Sequence, residues 1–252
     1  MSSYQDFANT LMESLKLAAM PVAVSFVDEV AATDPRPQQV VAAGCQYWEI
    51  GSAATVVTDA GDHKHCSIGI HTHQLQDAPA AQNDELSTTL AAMQGLDYVR
   101  EEEVAGIPVL NAKPAGVRYG PLAECESDPA TVLLFANAAQ GLIIVEAIAR
   151  VDGAAPAALG RPACALVPAV VNSGQAASSL GCCGARAYIG SFNDDTTVWA
   201  LAGARLAEYV TEIETLAKAN KMLSRFHELR NQDIAAGSEP TVKDSLARLE
   251  SA

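Results

Sequence analysis

The chain has 252 residues, of which 49% are hydrophobic and 18% charged, enough to bury an ample core in one large domain or two packed halves. Sixteen Lys and Arg against 30 Asp and Glu leave a formal charge of −14, which opposes binding to a nucleic-acid backbone or an anionic membrane. Met1–Leu15 carries Asp6 and Glu13 with no basic region before an apolar run, and no run reaches the roughly 18 apolar residues of a membrane span. A cytoplasmic protein is expected, with six cysteines as reduced thiols or metal ligands rather than disulfides.

Tyr4–Leu17 places Phe7, Leu11 and Leu15 near helical spacing and predicts an N-terminal helix that Pro21 ends. The β-branched run Val22–Val27 predicts a strand. A helical turn follows over Gln46–Ala53, then β-prone Thr55–Val57. Residues 78–96 read as a helix, and Ile107–Leu110 and Gly116–Tyr119 as short strands. Thr131–Ala136 predicts a buried strand that hands over, through the potential cap Asn137, to a helix over Ala138–Arg150. A long helix is expected from about Ala202 to Asn231, with an apolar stripe that offers a core or homodimer face. The segment after Ala235 reads as a loosely ordered tail.

The cysteines repeat. In the first half a strand precedes Cys45 and then Cys66, 21 residues on; in the second a strand precedes Cys164 and then Cys182, 18 residues on. Two such units packed about a pseudo-twofold axis bring four sulfurs to one seam, the donor set of a [4Fe–4S] cluster or a tetrahedral zinc. No Cys-x-x-Cys pair supports this, and buried cysteines that act as small hydrophobes are the competing explanation.

Gly44-Cys45-Gln46, Cys66 with a nearby glycine, Asn137-Ala138-Ala139-Gln140, Cys164, and Cys182-Cys183-Gly184-Ala185-Arg186 followed by Gly190 and Asp194-Asp195 come in one order. In that order they resemble the bacterial and archaeal domain-of-unknown-function family 169, over about residues 5 to 225. Many of its members come from anaerobes, so the resemblance implies a setting that suits an oxygen-labile centre. The family's last motif usually reads Cys, small residue, Gly, Asp, Arg. Here Cys183 takes the small position and Ala185 replaces the acid, so Cys182 is the matching cysteine.

Four histidines lie between His63 and His73. On an extended chain His63 would align with His65, and His71 with His73; a polar surface loop is the competing reading. His65, next to Cys66, is the preferred imidazole ligand. Asn137 and Gln140, at a strand-to-helix junction, and Arg186, after the Cys182 turn, are candidate contacts to a cofactor or substrate. No phosphate loop, dinucleotide fingerprint or nucleophile elbow is present.

The expectation is an α/β or α+β fold with a mixed sheet and flanking helices. Residues 1–235 form one compact domain from two similar halves, about 18–120 and 128–200, with a tail over 236–252. Cys45, Cys66, Cys164 and Cys182, with His65, would hold an iron–sulfur cluster, most simply [4Fe–4S], with zinc as the alternative. The role is redox chemistry on a small molecule or with a redox partner protein; a metal carrier or sensor, or a metal-free small-molecule binder, are the alternatives.

Overall fold

The computed structural model describes residues 3–251. Helix α1 (Tyr4–Leu15) opens with a capping box in which Ser3 and Asp6 satisfy each other's backbone N–H, and it stops at Lys16 in the left-handed conformation. Strand β1 (Val22–Val27) follows, then α2 (Gln46–Ala53), β2 (Val56–Asp59), α3 (Ser67–His73), α4 (Ala81–Gly95), α5 (Glu101–Val104) and β3 (Gly116–Pro121). The second half runs β4 (Thr131–Asn137), α6 (Ala138–Asp152), β5 (Ala157–Leu159), α7 (Leu166–Ser173), β6 (Ala177–Ser179), α8 (Cys183–Tyr188), β7 (Thr196–Ala202) and α9 (Leu206–Ala235), closed by α10 (Val242–Glu250).

The seven strands form one mixed sheet in the order β2-β3-β1-β4-β7-β6-β5. All pairs are antiparallel except β5 with β6. In the first half β3 lies between β1 and β2; in the second β7 lies between β4 and β6. Each half therefore runs strand, cysteine-led helix, strand, cysteine-led helix, central strand, with α4 and α5 added in the first and α6 and β5 in the second. The halves join where β1 and β4 pair antiparallel, Ala23 opposite Val132. That junction is buried through Val22, Val24, Val132, Leu133 and Leu134, whose β-branched and leucine side chains suit a sheet covered on both faces.

Helices α1 and α6 both pack on α9, and α3 packs on α7. Leu206, Tyr209, Val210 and Ile213 bury the first turns of α9. The long C-terminal helix thus spends its apolar stripe on the core of the same chain. Ile107–Leu110 joins no strand ladder: its backbone ties are Ile107 N–H to Val104 O and Leu110 N–H to Thr72 O. The tail also departs from expectation. Thr241 and Asp244 form a capping box that starts α10, and Arg230 reaches Ser245 at 3.2 Å to seat α10 on α9. The expected tail's last residue, Ala252, and the expected domain's Met1 and Ser2 lie outside the described residues.

Candidate functional site

The four cysteines predicted to converge line one cavity of about 640 Å³. Cys45, Cys66 and Cys182 each stand at the N-cap of a short helix, α2, α3 and α8; Cys164 sits in the 3₁₀ turn that leads into α7. The equivalence of the two halves explains the convergence, because each sulfur occupies the same step of a repeated strand–helix pattern. Cys45 and Cys164 are buried, Cys66 and Cys182 half-buried. Exposed Cys183 lines the same cavity, as does Tyr98. Cys125 is not among the lining residues; its thiol donates to Ser127 O at 2.9 Å.

Burial pushes the thiols of Cys45 and Cys164 up, and their neighbours add to the push. For Cys45 the largest neighbour is Cys164, then Cys66 and Cys182; for Cys164 it is Cys66. Burial also raises Cys66, against the backbone N–H groups of Gly44 and Gly69, which favour its thiolate. The Thr72 hydroxyl lies 3.5 Å from the Cys164 sulfur and favours that thiolate in the same way. Thiolates massed in a dry site need a compensating cation. Sulfur ligands that also receive N–H and O–H donors are the arrangement that tunes an iron–sulfur centre.

The walls around Cys66 leave no spare room. A Cβ on Gly44 would fall 2.5 Å from His63 Nδ1, and one on Gly69 would fall 2.9 Å from the Cys66 sulfur. The imidazole itself is pinned. Thr58 donates its single hydroxyl hydrogen to Val117 O at 3.2 Å, so its oxygen accepts the hydrogen of His63 Nε2 at 3.0 Å. Nδ1 of His63 then carries a lone pair with no hydrogen-bond partner, although the residue is 1% exposed. His73 repeats the pattern: Nδ1–H donates to Gly69 O at 3.0 Å, and buried Nε2 has no partner. Burial lowers His63 to about 3 and His73 to about 4, so both are neutral.

This corrects the expected alignment of the histidines. His71 and His73 lie in α3, where residues two apart point to different sides of the helix. His73 is buried behind the cavity while His71 faces it, and exposed His65 reaches the lining but buried His63 does not. The cluster is therefore half structural and half site-facing, not a uniform surface loop.

Asn137, Gln140 and Arg186 are not among the residues that line the cavity. Asn137 and Gln140 cap α6 reciprocally, and Gln140 Nε2 also donates to Leu15 O and Lys16 O. Arg186 donates to Asn193 O at 2.6 Å and lies over the Phe192 ring, bracing the turn around α8. A brace that sequence reasoning missed links the halves: Glu49, on the helix led by Cys45, accepts N–H bonds from Gly190 and Ser191 at 3.2 and 2.8 Å, just after the helix led by Cys182.

Among the described residues, no three His, Cys, Asp or Glu side chains close on one point as ligands of a single ion do. The four thiols share one cavity.

A family profile matches residues 10–212, most of the chain. The chain belongs to domain-of-unknown-function family 169. The family is described as an uncharacterised ArCR. No curated protein and no solved structure matches the chain. The matched region holds all five cavity cysteines, His65 and the Glu49 brace, and leaves most of α9 and all of α10 outside. Among the described residues, no helix is long and apolar enough to cross a membrane.

Proposed function

We propose that this member of family 169 is a metal-binding protein whose Cys45, Cys66, Cys164 and Cys182 hold an iron–sulfur cluster, most simply [4Fe–4S], for redox chemistry on a small molecule. One observation carries the reading: Cys45 and Cys66 from one pseudo-repeated half and Cys164 and Cys182 from the other line a single cavity, and Cys45 is pushed up by burial and by the other three. Zinc, which a tetrahedral set of four cysteine sulfurs also binds, is the alternative occupant. A bound cluster would supply single-electron transfer. The chain's own part is to hold the sulfurs with Gly44, Gly69 and Thr72 donors, to exclude water from Cys45 and Cys164, and to present His65 and His71 beside them.

The test is anaerobic purification with iron, acid-labile sulfide and zinc measured per chain, together with the visible spectrum. About four irons and four sulfides per chain are expected, with colour that bleaches in air, and loss of iron in single Cys→Ser variants at each of the four positions but not at Cys125. Zinc alone would turn the reading toward a structural or carrier site. No metal after anaerobic reconstitution would overturn it and leave a metal-free small-molecule binder.

A further inference from the structure

The cavity is larger than its sulfur end. Helix α4 forms one wall, and it presents Leu86, Leu90 and Met93 to the interior at helical spacing. These side chains are only half-buried, and Gln82 is the single buried residue of the helix. An apolar helical stripe normally lies against other side chains; this one faces open space whose volume, about 640 Å³, falls in the range of small-molecule sites. Gln82 anchors the helix start, donating to Lys64 O at 2.7 Å. The stripe is therefore held over the sulfurs with its apolar surface uncovered.

The arginine and the carboxylate at this cavity, which His65 and His71 also line, are already paired with each other. Arg161 and Glu103 both line it and face each other at 3.7 Å, and the Arg161 guanidinium also lies 4.3 Å over the Tyr98 ring. Neither is left as an open counter-ion. Transferring an ionised ligand into the apolar part would forfeit its hydration with nothing to replace it.

We propose that this chamber binds an uncharged, predominantly apolar small molecule, with its body against Leu86, Leu90 and Met93 and one edge at the cysteine sulfurs. The proposal rests on the reading of those sulfurs as the reactive end and specifies the class of molecule brought to them. Ionised acids and amines of the same size are excluded, and affinity comes from apolar area on α4.

The test uses three probes that share one ring system and differ in charge: 2-naphthol, 2-naphthoate and 2-naphthylmethylammonium. Each is titrated calorimetrically into the anaerobically purified protein near neutral pH. The neutral probe should bind at least about tenfold more tightly than either ion. Leu90→Ala should weaken it by about tenfold, the effect of removing most of a leucine contact, with unchanged iron content and thermal midpoint. Met93→Ala provides the same readout if the Leu90 variant folds poorly. Equal or tighter binding of either ion overturns the proposal, as does absence of saturable 2-naphthol binding or indifference to both variants. Iron is measured on the same samples. Probe binding without iron retires the cluster while the ligand class stands; iron without probe binding does the reverse.

Discussion

Acidification should unfold this protein through two imidazoles. His63 and His73 are fully buried and neutral, lowered by desolvation to about 3 and about 4. In the unfolded chain both return to about 6.5. Between those values the unfolded state binds more protons than the folded one, so stability rises with pH. The contribution is complete above about pH 7 and is lost as pH falls, levelling off near the folded value of each group. At pH 5 each imidazole is mostly protonated only after unfolding, which removes about 2 kcal/mol per residue and about 4 kcal/mol together. That is a large part of the roughly 5–15 kcal/mol that holds a domain together. The assay is equilibrium urea denaturation of the reduced, metal-free chain at about pH 7.5 and pH 5, followed by circular dichroism. His73→Gln should halve the pH-dependent loss, whatever it does to absolute stability. A wild-type loss below about 1 kcal/mol, or the same loss in the variant, would mean that these imidazoles ionise within the fold, and the account of their burial would be wrong.

Two further predictions separate the site from the scaffold. Glu49→Ala removes the acceptor for both Gly190 and Ser191 N–H; it should cost about 1.5–3 kcal/mol, the range for hydrogen bonds to a charged group, and lower the metal bound per chain by loosening the turn after Cys182. Glu49→Gln should fall between, and denaturation curves with metal analysis check both. Asn137→Ala removes one half of the α6 capping box and should cost about 1 kcal/mol while metal content stays at the wild-type level, because Asn137 does not reach the cavity.

The parts of this protein legible in its sequence are those that local chemistry determines. Val22–Val27 and Thr131–Asn137 are β-branched and aliphatic runs, and both are strands. Asn137 reads as a cap, and caps α6. Ala157–Leu159 and Ala177–Ser179 contain small residues with no strand pattern, and their extended form follows from pairing with each other and with β7. Thr196–Ala202 and the Thr241–Asp244 box did carry local signals, a β-branched run and a capping pair, and went unread. The expected strand at Ile107–Leu110 failed because an apolar run becomes a strand only with a partner ladder to join.

The cysteines were legible for a different reason. Their spacing within each half follows a repeated topology, and a repeat survives in sequence even when no short motif does. Once β3 lies between β1 and β2, and β7 between β4 and β6, the turns before α2, α3, α7 and α8 occupy equivalent places in the two halves. A cysteine at each turn is then carried to the common cavity by chain order alone. The histidines lack that support. His63 and His65 are two residues apart, yet one is buried against the bare backbone of Gly44 and Gly69 and the other faces the cavity. What decides their roles is the missing side chain on two glycines distant in sequence. A Cβ at either position would collide with His63 or with the Cys66 sulfur, so the bare backbone at 44 and 69 is as much a requirement of this site as the thiols it surrounds.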